Sequence, residues 1–95
     1  MRVVWTAPAL RELEAIGDYI ARDNPRASAR IVTRILDRVD MLTDHPETGR
    51  PGRIAGTREL VVTDTPFVVP YRIRGDQIEV LSVFHGARRW PDSFG

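Results

Sequence analysis

Cysteine is missing altogether, which excludes disulfides and thiolate metal sites. Histidine is nearly missing. His45 and His85 stand isolated in the chain, too few for a histidine-built centre, and a chain this short has no room for a cofactor domain; neither a metal nor a cofactor is expected. Lysine is absent too, all 14 basic residues being arginine. Guanidinium and ammonium differ mainly at bidentate or stacked contacts, so arginine-favouring codon usage is the simpler account, and composition by itself marks no phosphate site. No apolar run approaches the roughly 20 residues of a transmembrane helix. MRVVWTAPAL also lacks the basic, apolar, then small pattern of a secretory signal, so a cytoplasmic protein with no membrane partner is expected. An excess of either charge is lacking as well: the net charge of +1 gives only weak bulk attraction to nucleic acid.

What is present is the make-up of an ordinary folded domain, 42% apolar and 28% charged. A single domain over residues 1–95 with one shared core is expected. Arg2 to Trp5, RVVW, is β-branched and aromatic and reads as a first strand. Thr6 then offers a hydroxyl cap and Pro8 suits a first helical turn. Leu10, Leu13, Ile16 or Gly17, and Ile20 recur at helical steps, which predicts a helix to about Arg22. Asn24 caps and Pro25 opens a second helix, from about Arg26 to Thr43, with Ala29, Val32, Leu36 and Val39 at helical spacing, flanked by Ile31, Ile35 and Leu42. So short a junction folds the two helices into an αα-hairpin.

His45 to Gly56, with three glycines and two prolines, reads as a loop. The period then changes. Thr57 to Thr63, Pro66 to Ile73 and Gln77 to Phe84 are β-branched runs with short separators, which predict consecutive antiparallel hairpins. Pro70 conflicts with a regular ladder and predicts a bulge or an unpaired side midway along its strand. The expected fold is therefore α+β, β-α-α-β-β-β, with an antiparallel sheet covered on one face by the helical hairpin.

Four stretches carry a resemblance: DYIARDNPRAS (Asp18 to Ser28), LTDHPETGRPG (Leu42 to Gly52), TRELVV, and YRI…IEVLSVFHGARRWP from Tyr71 to Pro91. In that order and spacing they resemble the RelE/ParE superfamily of bacterial toxins from type II toxin–antitoxin modules, the ParE branch most closely. The resemblance implies the same β-α-α-β-β-β fold, action inside the bacterial cell, and neutralisation by a small antitoxin whose C-terminal segment wraps around the toxin. One branch cuts messenger RNA on the ribosome and the other poisons DNA gyrase, so the fold does not decide the function.

A metal-free ribonuclease needs a base, an acid and cations around an in-line phosphate. Arg58 and Arg72, on adjacent predicted strands, and His85, whose imidazole could act as acid or base, are the residues that could supply them. Against this, the RelE-like nucleases usually carry a tyrosine, or a histidine–tyrosine pair, near the C-terminus, whereas Gly86 follows His85 here and no tyrosine comes after it. Plainer roles are available to each residue. Arg58 could pair with a carboxylate such as Glu79, Arg72 with Asp64 or Glu79, and His85 could close the last strand by bonding to backbone. Glu47 is expected to be exposed, and Trp5 and Tyr19 to pack in the core or between the helices.

After Phe84, Arg88, Arg89 and Trp90 follow a strand-breaking glycine and precede Pro91; these are residue types favoured at interface hot spots. They are read as a surface that docks on the target, with Trp90 folding back to cap the open end of the core as the alternative. Arg30, Arg34 and Arg38 recur every four residues on the second helix and are candidate antitoxin contacts, or else a solvated stripe interleaved with Asp37 and Asp40. The resemblance thus implies a ParE-like toxin that binds DNA gyrase, is held by a ParD-like antitoxin, and meets operator DNA only through that antitoxin. A ribosome-dependent messenger-RNA endonuclease and a non-toxic antitoxin-binding module are the alternatives.

Overall fold

Two side-chain caps set where the helices begin. The computed structural model describes residues 1–87. After strand β1 (Arg2–Trp5), the Thr6 hydroxyl accepts the Ala9 N–H at 3.4 Å and donates to the Val80 carbonyl at 2.7 Å, so one group starts helix α1 (Ala7–Ala21) and ties it to the sheet. Asn24 Oδ1 accepts the Ala27 N–H at 3.0 Å and Pro25 opens helix α2 (Pro25–Asp40), which tightens into a single 3₁₀ turn over Met41–Thr43. Each cap supplies an acceptor to amide groups that have no intrahelical partner.

The helices cross where side chains are smallest. The Ser28 hydroxyl donates to the Gly17 carbonyl at 2.6 Å, and a Cβ on Gly17 would come within 3.2 Å of Val32 Cγ2. This crossing rotates α2 relative to the expected stripe. Ser28, Ile35 and Val39 are buried, followed by Leu42, while Ala29 and Leu36 are exposed. On α1, Ala9 and Leu13 are buried and Ile16 and Ile20 pack against the core, but Leu10 faces out. Tyr19 is 71% exposed, contrary to the expected packing role, because it lies one position beyond the Ala9–Leu13–Ile16–Ile20 stripe. Trp5 does pack against the core.

The sheet runs β1-β5-β4-β3-β2, built from β2 (Arg50–Pro51), β3 (Arg58–Val61), β4 (Phe67–Arg74) and β5 (Gln77–Val80); β6 (Phe84–His85) also pairs with β4. The consecutive strands β3, β4 and β5 are antiparallel, as their short turns require. β1 lies parallel to β5, with Val3 opposite Ile78, so the sheet is mixed and not antiparallel throughout. No turn joins those two strands, so nothing local dictates their relative direction.

The last predicted strand, Gln77 to Phe84, is divided in two, β5 and β6. Tyr71 pairs with Val80 and Val68 with Phe84, so Leu81, Ser82 and Val83 face only Val69 and Pro70. That extra residue is a β-bulge. The Pro70 carbonyl accepts the Leu81 N–H at 2.9 Å. Both backbone groups of a strand residue point the same way, so the N–H that proline lacks would also have faced this segment. The bulge lies where a regular ladder would lack a donor.

The core between the helices and one sheet face holds Ile35, Val39, Leu42, Val62, Val69, Tyr71, Ile78 and Val80.

Candidate functional site

Tyr71 sits at the centre of the structure and clasps the loop that follows α2. Its ring is fully buried, its hydroxyl donates to the Pro46 carbonyl at 2.7 Å and it accepts the Gly49 N–H at 2.9 Å. Burial raises its pKa above the ordinary 10.0; the Gly49 hydrogen bond and the nearby Arg58 guanidinium pull the other way. Arg58, its cross-strand partner, donates through Nη1 to the Gly49 carbonyl at 2.8 Å and to the Glu47 carbonyl at 3.3 Å. Glu47 itself is exposed. Gly49 fits because it has no side chain: a Cβ there would fall 2.6 Å from Tyr71 Cε1 and 2.9 Å from the Glu59 carbonyl.

The three residues that could serve a nuclease do not converge. Arg58 pairs with Tyr71 across the ladder and shares the helix-covered side with it. Arg72 is the next residue, and successive strand residues face opposite sides. It lies on the face away from the helices, bonded through Nε to Glu79 Oε1 at 2.5 Å, with Arg74 3.8 Å from the same oxygen. These arginines hold the Glu79 carboxyl below its ordinary value, the Arg72 hydrogen bond being the main cause. Glu79 is therefore the partner of Arg72 and not of Arg58, and Asp64 is taken by a helix residue. On that same face Arg50 pairs with Glu59, its cross-strand neighbour.

His85 faces the helix side, opposite Phe67, with the two ring centroids 5.8 Å apart and edge-on. Its Nδ1 accepts the Ala87 N–H at 3.1 Å, a bond to backbone that closes the last strand.

The arginines of α2 are not one uniform stripe. Arg34 donates to the Thr63 carbonyl at 3.0 Å and to Asp64 Oδ2 at 2.7 Å, fastening α2 to the β3–β4 turn, where Asp64 adopts φ of 64°. Arg38 reaches Met41 Sδ at 3.4 Å, and its Nε is buried without a hydrogen-bond partner. Arg30 is exposed. Arg88, Arg89 and Trp90 lie outside the described residues. Among the described residues no cluster of three or more histidines and carboxylates is placed to hold a metal, and no helix is long and apolar enough to cross a membrane.

One feature escaped the sequence reading. A groove of about 710 Å³ opens between α1, Ile31 of α2, the start of β4, and β6. Glu12, Ile16 and Tyr19, with Ala15 and Ile20, line its α1 side. The signal was present as a helical repeat at three- and four-residue steps, but a stripe that is half core and half groove looks like core alone in one dimension.

Comparison with known proteins places the chain. The family model described as ParE toxin of type II toxin-antitoxin system, parDE, matches residues 3–90. The chain is 52% identical over 90 residues to Y4kP of Sinorhizobium fredii, covering 95% of this chain and 93% of that protein. It is 39% identical over 87 residues to toxin RelE2 of Caulobacter vibrioides, covering 92% and 97% of the two. Among solved structures it superimposes on a chain of the chromosomal ParDE system from P. aeruginosa with a TM-score of 0.81 at 30% identity, covering 90% of this chain and 95% of that one.

Proposed function

Because this chain belongs to the ParE toxin family of type II toxin–antitoxin systems, we propose that it poisons its host by binding, with DNA gyrase as the target and a ParD-like antitoxin as the neutralising partner. The observation that carries this reading is the divergence of Arg58 and Arg72 onto opposite sides of the sheet. A phosphate cannot be held between two cations separated by the sheet itself, and each already has an intramolecular acceptor. His85 lies on the helix side with its Nδ1 engaged, so it does not complete a site with Arg72. The likeness to the ParDE structure supports the same branch.

In this reading Arg88, Arg89 and Trp90 contact the target. The antitoxin meets α2, where Arg30 and Arg38 are available to its acidic residues and Arg34 is reached only by opening the Asp64 pair. Operator DNA is engaged only through the antitoxin, and the toxin works in the bacterial cytoplasm as a single domain without metal or cofactor.

The test is a pair of assays on purified toxin freed of antitoxin: supercoiling by gyrase with a search for trapped DNA breaks, and translation of a defined message with a search for cut RNA. Trapped breaks with intact message are expected. Cut message with unaffected gyrase would sink the proposal, and no effect in either assay would favour a non-toxic antitoxin-binding module.

A further inference from the structure

The two edges of the sheet are finished differently. At one edge β2 is two residues long, and the Gly52 N–H donates to the Thr57 carbonyl at 2.8 Å, so its neighbour Pro51 turns outward a position that has no N–H to offer. Shortness and proline are the usual devices that keep an exposed edge from pairing. The other edge has neither. β1 reads RVVW and runs in unbroken register along β5, with Arg2 opposite Gln77, Val3 opposite Ile78, Val4 opposite Glu79 and Trp5 opposite Val80. The Arg2 N–H donates to the Asp76 carbonyl at 2.9 Å and the Thr6 N–H to the Val80 carbonyl at 3.1 Å, so the even-numbered residues turn their backbone groups toward β5. Val3 and Trp5 therefore turn theirs away from the sheet. Among the described residues no strand lies on that side and no hydrogen bond reaches those groups. Beside them, on the face away from the helices, Val4 is 37% exposed.

We propose that two copies of the antitoxin-free chain join through β1, antiparallel about a two-fold axis at Val4, so that their sheets become continuous. The register follows from the outward groups. In an antiparallel ladder the residues that exchange both backbone bonds stand opposite one another, and only Val3 and Trp5 present those groups. Setting Val3 opposite Trp5 of the second copy, and Trp5 opposite its Val3, satisfies every outward group of both residues. A register centred on Val3 leaves Trp5 without a partner in the strand, and one centred on Trp5 leaves Val3. In the Val4-centred register an aromatic ring meets a β-branched side chain on the helix side, and Val4 meets Val4 on the other face, both favourable cross-strand pairs. Arg2 falls opposite Thr6, so the like charges of the two copies are not opposed. Four residues a side make a small seam beside the about 1,200–2,000 Å² of a stable complex, so the pair forms and parts with concentration. It does not depend on which target the toxin attacks.

Sedimentation velocity of the full chain, freed of antitoxin and run over a concentration series, tests this. A monomer that converts to a dimer as concentration rises is expected. Val4→Lys and Val4→Glu each set like charges face to face at the axis and are expected to raise the dissociation constant by about five-fold or more, with the circular dichroism spectrum unchanged. An equal mixture of the two variants is expected to recover the dimer, because lysine then meets glutamate. Should either variant fail to fold, amide exchange on the parent makes the same challenge: the Val3 and Trp5 amides are expected to slow as concentration rises, while that of Thr6, already bonded to Val80, keeps its rate. A monomer at every concentration overturns the proposal, as does a dimer indifferent to both charges or one that the mixture does not recover. A chain that stays monomeric yet binds antitoxin less tightly as Val4→Lys would place an antitoxin strand on this edge, and that too overturns it.

Discussion

The Tyr71 hydroxyl and the Gly49 amide meet at 2.9 Å, and through this bond the central strand holds the loop that follows the second helix. The same oxygen donates to the Pro46 carbonyl, so one buried atom fixes both sides of a turn. Arg58 adds two more bonds to the same loop.

Removing that oxygen leaves a buried amide and a carbonyl without partners. Tyr71→Phe is expected to lower stability by about 1–3 kcal/mol, read as a fall in denaturation midpoint at constant slope. Gly49→Ala tests the same contact from the other side. Its methyl would stand 2.6 Å from the tyrosine ring, and a loss of about 1–3 kcal/mol from overpacking is expected. Wild-type stability in both variants would remove the clasp from the account.

Thr6 acts at both ends of its hydroxyl, capping α1 and bonding to Val80 of β5. Thr6→Ala is expected to cost about 1–2 kcal/mol, whereas Thr6→Ser restores most of it because the oxygen remains. Thermal unfolding of the two variants side by side checks this.

Glu79 has its pKa lowered, chiefly by the Arg72 hydrogen bond, and this fixes the sign of a pH effect. The ionised carboxylate stabilises the folded state above the ordinary value of 4.5, and that contribution is lost as pH falls below 4.5 through the lowered folded value. Glu79→Gln is expected to flatten this part of the acid limb while leaving the rest of the profile in place. An acid limb identical to wild type would mean that the Arg72–Glu79 pair contributes nothing in solution.

Toxicity and the sheet arginines should separate. Arg58→Ala is expected to loosen the Glu47–Gly49 loop and lower stability, yet to retain gyrase inhibition in whatever fraction stays folded. Trp90→Ala is expected to weaken gyrase binding by about 30-fold, the effect of a hot-spot contact near 2 kcal/mol, with antitoxin binding preserved. Titration of both partners against each variant distinguishes the two roles; gyrase binding lost with Arg58 and kept without Trp90 would reverse the assignment.

The features that were legible in the sequence are those with local causes. Thr6 and Asn24 announce their caps because a hydroxyl or amide oxygen before a proline-opened helix needs only neighbouring amides. Pro70 announces the interruption of its ladder because the missing donor belongs to the residue itself. The β1–β5 pairing was not legible in direction, since no turn connects the two strands. The buried stripe of α2 was read one position off at Ala29 and Leu36, because Ser28 looks polar until its hydroxyl finds the Gly17 carbonyl. Arg58 and Arg72 were grouped as phosphate holders because adjacent strands suggest proximity; only the register of β3 on β4 reveals that they face apart.

The parallel seat of β1 beside β5 also sets a schedule. Arg2 to Trp5 find their partners 75 positions later, so at roughly 5–20 residues per second the ribosome releases the first strand some 4 to 15 s before the strand it must join. During synthesis the helical hairpin can assemble, but the sheet cannot close at its β1 edge until Val80 has emerged. The first strand to leave the ribosome is therefore unable to take its seat until the strand beside it has followed.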